Sequence, residues 1–198
     1  MERDKLKELI KWKNNPNRKP LILKGARHVG KTWLLKEFGN TQYQQMVYLD
    51  FERSPHLKTI FTDDFDIKRL IIALQAESGL TINPGTTLLI FDEIQAIPEA
   101  LTYLQYFQED APEFHIVSAA SLLGMAKQSN ISIPTGKVDF INLYPMSFEE
   151  YLKAIDEEGL QEILSTGYWK LITAYKSKYI DYLRHYYYVG GMPEAVSK

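Results

Sequence analysis

The segment GARHVGKT, residues 25–32, constrains the possible folds of this chain more than any other stretch. Two glycines separated by four residues are followed directly by Lys31 and Thr32, which is the spacing of a phosphate-binding loop. The apolar run PLILK precedes the motif, and apolar residues at helical spacing follow it. Because such a loop works at the junction of a buried strand and a helix, the segment predicts a parallel sheet covered by helices.

The chemistry of a polyphosphate explains the residue types in this loop. Several backbone N–H groups must converge on the phosphates, and glycine lets the chain curl so that they do. Lys31 is expected to reach the β- and γ-phosphates and to act in catalysis, and Thr32 to offer its hydroxyl to Mg²⁺. The Arg27 side chain is expected to face solvent or a neighbouring acid, and His28 to fill the loop rather than act as a base. The residues expected to contact the nucleotide here are Gly25, Ala26, Arg27, His28, Val29, Gly30, Lys31 and Thr32.

Two acids follow the third apolar run, in the sequence FDEIQ. Ligands of parallel α/β sheets bind outside the carboxyl ends of the strands, so these acids are expected at the same edge as the loop. Asp92 is predicted to hold the Mg²⁺ hydration shell, and Glu93 to orient a water molecule for attack on the γ-phosphate. The alternative for Glu93 is a surface acid that begins a loop.

Ser118 is expected where the fourth strand ends. Its hydroxyl there would bond the γ-phosphate or the attacking water, although a plain loop serine is an equal alternative.

Five apolar runs alternate with helical patterns, which predicts an α/β fold with a mostly parallel five-stranded sheet. The predicted strands cover residues 20–24, 46–51, 86–91, a run from 114, and 138–143. Residues 1–19 are expected to form an N-terminal helix and loop, 20–145 the core, and 146–198 a helical segment that begins a lid. The first core helix is predicted over 32–38 with Gly39 as its cap, and a later helix is predicted to start behind Asp63, Asp64 and Asp66. A capping box of Ser147 and Glu150 is expected to start a helix that ends at Gly159.

Charge and composition exclude several classes of function. The chain has 23 basic and 25 acidic residues among 198, a net charge of -2, so no global field attracts nucleic acid or an anionic membrane. Nucleic acid is therefore an unexpected partner, although a local contact is compatible with the charge. The absence of cysteine excludes disulfides and thiolate metal sites. The sequence also lacks a secretory signal and an apolar run of about 18 residues, so a cytoplasmic protein without membrane contact is expected.

Five motifs in this order resemble one family: the loop, FDEIQ, SLLG at 121–124, LYPMSFEEYL at 143–152 and GGMPEAV at 190–196. They are similar to those of bacterial and archaeal AAA-like P-loop ATPases that usually carry a C-terminal domain of unknown function. The resemblance implies a three-layer αβα sandwich with strand order 5-1-4-3-2, and ATP with Mg²⁺ as ligands. GGMPEAV is similar to the lid motif of signal-transducing P-loop ATPases, which implies that Pro193 contacts the nucleotide and that Gly191 is a hinge.

The resemblance also implies that the lid and a C-terminal domain continue past Lys198. A transition-state arginine is expected from another subunit, with Arg184 as the candidate within the chain. The predicted function is an ATP-binding and ATP-hydrolysing core that acts as a nucleotide-driven switch, with a protein partner, a C-terminal domain or an oligomer responding to it. The alternatives are a small-molecule phosphotransferase and a nucleotide-dependent interaction module that does not hydrolyse.

Overall fold

The structure is a computed structural model that describes residues 3–61, 64–121 and 136–196. The chain divides into two compact units. The sheet unit contains Leu6–Arg27 and Lys31–Leu143, and the C-terminal unit contains residues 3–5, His28–Gly30 and 144–196.

A five-stranded sheet forms the centre of the sheet unit. Its strands are β1 (Leu21–Gly25), β2 (Gln45–Asp50), β3 (Thr87–Asp92), β4 (His115–Ser121) and β5 (Asp139–Leu143). The order across the sheet is β2-β3-β4-β1-β5, and the four recorded pairings are all parallel. This order confirms the predicted one, counted from the opposite edge. Every residue of β3 and β4 is buried, as expected for central strands of a sheet covered on both faces.

Helices α1 (Lys5–Asn14), α2 (Lys31–Gln42), α3 (Ile67–Ser78) and α4 (Pro98–Asp110) accompany these strands. Two short 3₁₀ turns, Pro55–Thr59 and Ile94–Ala96, complete the connections. Asp66 caps α3 by accepting from the backbone N–H groups of Lys68 and Arg69, so one member of the predicted acidic cluster starts the helix. Asp63 of that cluster lies outside the described residues.

The predicted end of α2 is wrong. The helix passes through Gly39 and continues to Gln42. A Cβ atom on Gly39 would lie 2.6 Å from Met46 Sδ, so glycine serves close packing at this position and does not terminate the helix.

The sheet unit buries a continuous apolar core. Phe51, Phe61, Phe91 and Tyr103 meet there at ring-centroid distances of 5.1 to 5.7 Å, mostly edge to face. These rings pack beside the apolar faces of α3 and α4, which join the same core.

The C-terminal unit is helical. It contains α5 (Phe148–Ala154), α6 (Glu158–Thr166), α7 (Trp169–Ala174), α8 (Lys176–Val189) and α9 (Pro193–Val196). Its core is small and rich in tyrosine, with Tyr151, Leu152, Leu160 and Tyr179 buried. None of the helices in the described ranges is long and apolar enough to cross a membrane.

The predicted capping box at the start of α5 is present, with Ser147 and Glu150 bonding each other's backbone N–H groups. The predicted end at Gly159 is wrong, because Gly159 lies in the first turn of α6. The α5 helix ends earlier, where Asp156 adopts a left-handed conformation with φ 62°. Aspartate is one of the few residue types that tolerate this conformation, so it can end a helix as glycine does.

Candidate functional site

The phosphate-loop motif lies where the sequence predicted it, between β1, which ends at Gly25, and α2, which begins at Lys31. Lys31 is only 5% exposed, and its Nζ donates to the carbonyl oxygens of Gly25 at 3.2 Å and Ala26 at 2.9 Å. Burial lowers the pKa of Lys31, while the carboxylates of Glu93 and Asp92 oppose that shift. The loop thus holds a buried lysine whose Nζ bonds neutral backbone carbonyl groups.

The middle of the loop, His28–Gly30, belongs to the C-terminal unit. His28 has φ 63° and Gly30 has φ 93°, and left-handed residues of this kind turn successive backbone N–H groups toward one concave side. The Val29 carbonyl accepts from Arg3 Nη1 at 2.9 Å. A Cβ atom on Gly30 would lie 3.4 Å from Pro193 Cγ, so the expected lid residue Pro193 lies close to the loop.

The hydroxyl of Thr32 donates to Asp92 Oδ2 at 2.6 Å. The hydroxyl of Tyr48, on β2, donates to the same oxygen at 2.8 Å, and the backbone N–H of Glu93 donates to Oδ1 at 3.1 Å. Asp92 is 3% exposed and is the last residue of β3. A hydroxyl and a carboxylate brought together in this way are oxygen donors of the type that Mg²⁺ prefers, so the residues present fit the ion.

Glu93 follows the strand in a left-handed conformation, with φ 49° and ψ 45°. A non-glycine residue held there costs about 1 kcal/mol and commonly marks a functional position. Its Oε2 accepts from Gln95 Nε2 at 2.5 Å, and the same amide lies 3.4 Å from Ser121 Oγ. Gln95 is 7% exposed, and its Oε1 has no hydrogen-bond partner among the described residues. A hydrogen bond from the buried Gln95 side chain therefore fixes the Glu93 carboxylate.

The predicted position of Ser118 at the end of the fourth strand is wrong. The small residues that follow it continue β4 in register with β1, so Ser118 pairs with Ile22 and Ser121 pairs with Gly25 at the strand end. Ser118 is fully buried, and its hydroxyl has no partner in the described part of the chain. Ser121 occupies the edge that Ser118 was expected to occupy. Residues 122–124 of the SLLG motif lie outside the described residues.

Three basic side chains singled out from the sequence lie beside acids of their own units. Arg27 donates to both carboxylate oxygens of Glu52, at 2.7 and 3.0 Å, with both side chains more than half exposed. His28 Nδ1 lies 3.9 Å from Glu194 Oε2. Arg184 forms an exposed pair with Asp181 at 3.5 Å. These side chains point to solvent-exposed acids.

Gly191, the expected hinge, is in close contact with the backbone of Met146. Its carbonyl accepts from the Met146 N–H at 2.7 Å, and a Cβ atom on Gly191 would lie 2.4 Å from the Met146 carbonyl oxygen. Only glycine fits here without displacement of the backbone.

Sequence reasoning missed three residues at the site: Tyr48, Gln95 and Arg3. Tyr48 could have been found by strand alternation, because it lies two residues before the end of β2. The only sequence feature that could have indicated Gln95 is that it lies two residues after Glu93, and this signal is weaker. Arg3 carried no signal, since Val29 and Glu150, which it contacts, are 26 and 147 residues away along the chain.

The fold is similar to that of two solved structures. The Walker-type ATPase PABY2304 of Pyrococcus abyssi matches with a TM-score of 0.55 and 16% identity over 98% of this chain and 64% of its own. A Drosophila ORC structure bound to DNA matches with a TM-score of 0.58 and 12% identity over 96% of this chain and 57% of its own. The chain thus spans less than two thirds of either structure.

No curated protein matches the sequence. A family model described as an AAA domain matches residues 17–152, which include the loop, Asp92, Glu93 and the start of α5. The chain therefore belongs to the AAA domain family of P-loop ATPases.

Proposed function

We propose that this chain is an ATP-hydrolysing core that binds ATP with Mg²⁺ and signals the state of the nucleotide to a partner. The observation that carries the proposal is the contact between the Thr32 hydroxyl and Asp92 Oδ2 at 2.6 Å, directly beside Glu93 at the carboxyl end of β3. This arrangement joins a metal-binding pair to an additional acid at the edge where α/β sheets bind ligands.

Each residue has a distinct part in the proposed reaction. Lys31 binds the β- and γ-phosphates with the amides of residues 25–30, and Thr32 and Asp92 hold the metal. When bound, Mg²⁺ neutralises phosphate charge and orients the terminal phosphate. Glu93 accepts a hydrogen bond from the attacking water and so orients it for attack on the γ-phosphate.

Ser121 replaces Ser118 in this proposal as the polar residue at the end of β4. It pairs in register with Gly25, the first residue of the loop. A hydroxyl at that position is suited to bond a phosphate oxygen or the attacking water.

We propose that the C-terminal unit reads the nucleotide. Three loop residues, His28–Gly30, belong to that unit, and Gly30 lies close to Pro193. A ligand shifts an equilibrium only through different contacts in the two states, and loop residues packed on Pro193 would differ in their contacts with ATP and ADP.

A partner would complete the site. All six arginines of the chain already bond groups in their own unit, among them the buried Arg3 and the exposed Arg27 and Arg184. We therefore place the transition-state arginine on a second subunit or another protein. Nucleic acid is not part of the proposal, because the net charge of -2 provides no general attraction for it.

Phosphate release from Mg-ATP tests the proposal, with Lys31→Ala and Glu93→Gln compared with the wild type. We expect Lys31→Ala to lose nucleotide binding, and Glu93→Gln to bind ATP but to hydrolyse it about 10²- to 10⁴-fold more slowly. Glu113→Gln, an exposed acid of the same unit, is the matched control and should match the wild type.

Other outcomes would favour the alternatives. Equal, non-zero hydrolysis by wild type and Glu93→Gln would remove Glu93 from catalysis. Transfer of phosphate to a nucleoside or metabolite, with little released to water, would indicate a phosphotransferase. Tight retention of ADP without turnover, in the presence of any partner, would indicate an interaction module.

A further inference from the structure

We propose that Tyr48 is a positioning residue for the metal site, fixing the Asp92 carboxylate through a hydroxyl hydrogen bond so that Asp92 and Thr32 bind Mg²⁺ with the nucleotide. The inference rests on the proposed function, since it assigns a further residue to the same site. The contact that carries it is the bond from Tyr48 Oη to Asp92 Oδ2 at 2.8 Å.

Strand register explains why a residue of β2 reaches Asp92. Tyr48 is paired with Ile90, two residues before Asp92, and residues two apart on a strand project to the same face. Two residues of strand span about 6.6 Å, which is close to the reach of a phenol from its backbone. Tyr48 is thus placed to bond the carboxylate at the end of the neighbouring strand.

The phenol ring is itself held in place. Lys36 Nζ, on α2, lies 3.7 Å from the centroid of the Tyr48 ring. A cation over an aromatic face is an attractive contact that restricts the ring. Helix α2 follows the phosphate-binding loop and carries both Lys36 and Thr32. The Lys36 contact therefore orients the Tyr48 ring relative to the helix that carries Thr32.

The orientation of the Asp92 carboxylate depends on the hydrogen bonds that it accepts. It is 3% exposed, and within the described part of the chain it has no ion pair closer than 4.0 Å. Its hydrogen bonds come from two hydroxyls on Oδ2 and one backbone N–H on Oδ1. A buried carboxylate without such donors would be costly, so the hydroxyls satisfy its oxygens and fix its orientation.

The two hydroxyls have different parts. The Thr32 hydroxyl has one proton and two lone pairs, so it can keep its proton on Asp92 and offer a lone pair to a cation. Among the described residues, the Tyr48 hydroxyl bonds only the Asp92 carboxylate. Tyr48 therefore holds Asp92, while Thr32 bonds both Asp92 and the cation.

Binding of a fluorescent ADP analogue, titrated with Mg²⁺ and repeated with a chelator, tests the proposal without reference to turnover. We expect Tyr48→Phe to raise the Mg²⁺ concentration for half-maximal tightening about tenfold, since residues that orient metal ligands typically affect metal affinity by 10- to 100-fold. Binding in chelator should stay within twofold of the wild type, because Phe keeps the ring and the Lys36 contact.

The matched control is Tyr43→Phe. Tyr43 is also a partly buried tyrosine beside β2, but its hydroxyl bonds His115 Nδ1 at 2.8 Å. This variant should lose a comparable hydrogen bond and leave both binding measurements unchanged.

A double-mutant cycle with Asp92→Ala, which removes the oxygen that Tyr48 bonds, separates positioning from general weakening of the fold. If Tyr48 acts through Asp92, Tyr48→Phe should have no further effect on the Mg²⁺ titration in the Asp92→Ala background. An unchanged Mg²⁺ titration in the single variant, or an equal loss of affinity with and without metal, would overturn the inference. Absence of nucleotide binding by the wild type would instead overturn the proposed function.

Discussion

Two buried carboxylates in the described part of the chain are held in opposite ways. Glu150, in the C-terminal unit, receives the Arg3 guanidinium at 3.1 Å and the backbone N–H groups of Asp4 and Ser147. Asp92, in the sheet unit, receives two hydroxyls and one backbone N–H. Both acids are less than 10% exposed, so burial does not distinguish them.

The difference lies in the charge of the partners. Arginine neutralises Glu150 and, through its other two nitrogens, bonds the carbonyls of Val29 and Tyr144, so this acid is committed to structure. Among the described residues only neutral groups lie at hydrogen-bond distance from Asp92, which supports the proposal that this acid binds a cation. A carboxylate held by hydroxyls is suited to bind an ion, whereas a carboxylate held by arginine is suited to join segments of the chain.

The largest expected effect comes from breaking the arginine pair. Arg3→Ala leaves Glu150 buried without its cation, and loss of one partner of a buried ion pair typically costs about 3 to 5 kcal/mol of unfolding free energy. Hydrogen exchange of α5 amides should report this loss directly. Arg184→Ala, which removes an exposed pair with Asp181, should cost less than about 0.5 kcal/mol. Equal protection of α5 in the two variants would contradict the assigned role of Arg3.

Removing the charge of the other carboxylate should affect binding more than folding. Asn at position 92 keeps one oxygen for the Tyr48 and Thr32 hydroxyls but turns its NH2 group toward the Glu93 backbone N–H, so the free energy of unfolding should fall by about 1 to 2 kcal/mol. The tightening of nucleotide binding by Mg²⁺ should fall about 100-fold, equivalent to about 3 kcal/mol. Titration of Mg²⁺ against bound nucleotide measures this loss.

Asp50 provides the matched control for that experiment. It lies at the end of β2, in register with Asp92, and accepts from the backbone N–H groups of Glu52 and Arg53. Asp50→Asn should leave the Mg²⁺ titration unchanged. An equal loss in both variants would mean that general negative charge at this edge, rather than Asp92, governs the metal.

Tyr43 and His115 extend the comparison, because here a tyrosine hydroxyl bonds a histidine instead of a carboxylate. The Tyr43 hydroxyl lies 2.8 Å from His115 Nδ1, and burial, with Arg18 and Lys13 nearby, lowers the pKa of His115 to about 4. The unfolded chain, with a histidine pKa near 6.5, binds more protons between these values. The stabilisation is therefore complete above pH 6.5 and is lost as the pH falls toward 4.

The loss should be about 2 kcal/mol between pH 7 and pH 5. Thermal unfolding of the wild type and His115→Gln across this range measures it, and the variant should lack this part of the pH dependence. His56→Gln, which alters an exposed histidine, should keep the wild-type profile. A wild-type profile in His115→Gln would show that the titration belongs to other groups.

The strand order and the position of Asp92 at the edge of the sheet beside the loop could be predicted because their signals are local. Buried parallel strands form nearly continuous apolar runs, and a polar residue at the end of such a run, like Asp92, falls at the ligand edge. Ser118 was misplaced because Ala119 and Ala120 do not reveal where a strand ends. The prediction for Gly39 was wrong because glycine is needed there for close packing against Met46. The sequence alone does not show that these two residues meet.

The remaining residues depend on contacts between distant segments. Tyr48 bonds Asp92 only because β2 pairs with β3 in one register, and a slip of one residue would turn its side chain to the other face. Arg3 and Glu150 are 147 residues apart, and no periodicity or motif connects them. Their pairing could be found only from the structure.

The Arg3 contacts bear on where the domain can be cut. A fragment trimmed to the family match, residues 17–152, would retain Glu150 and the Val29 carbonyl but would lose the guanidinium that bonds both. It would also lose Trp12, whose ring packs edge to face against Phe38 and His115. Recombinant versions of this domain should therefore include Arg3 and helix α1.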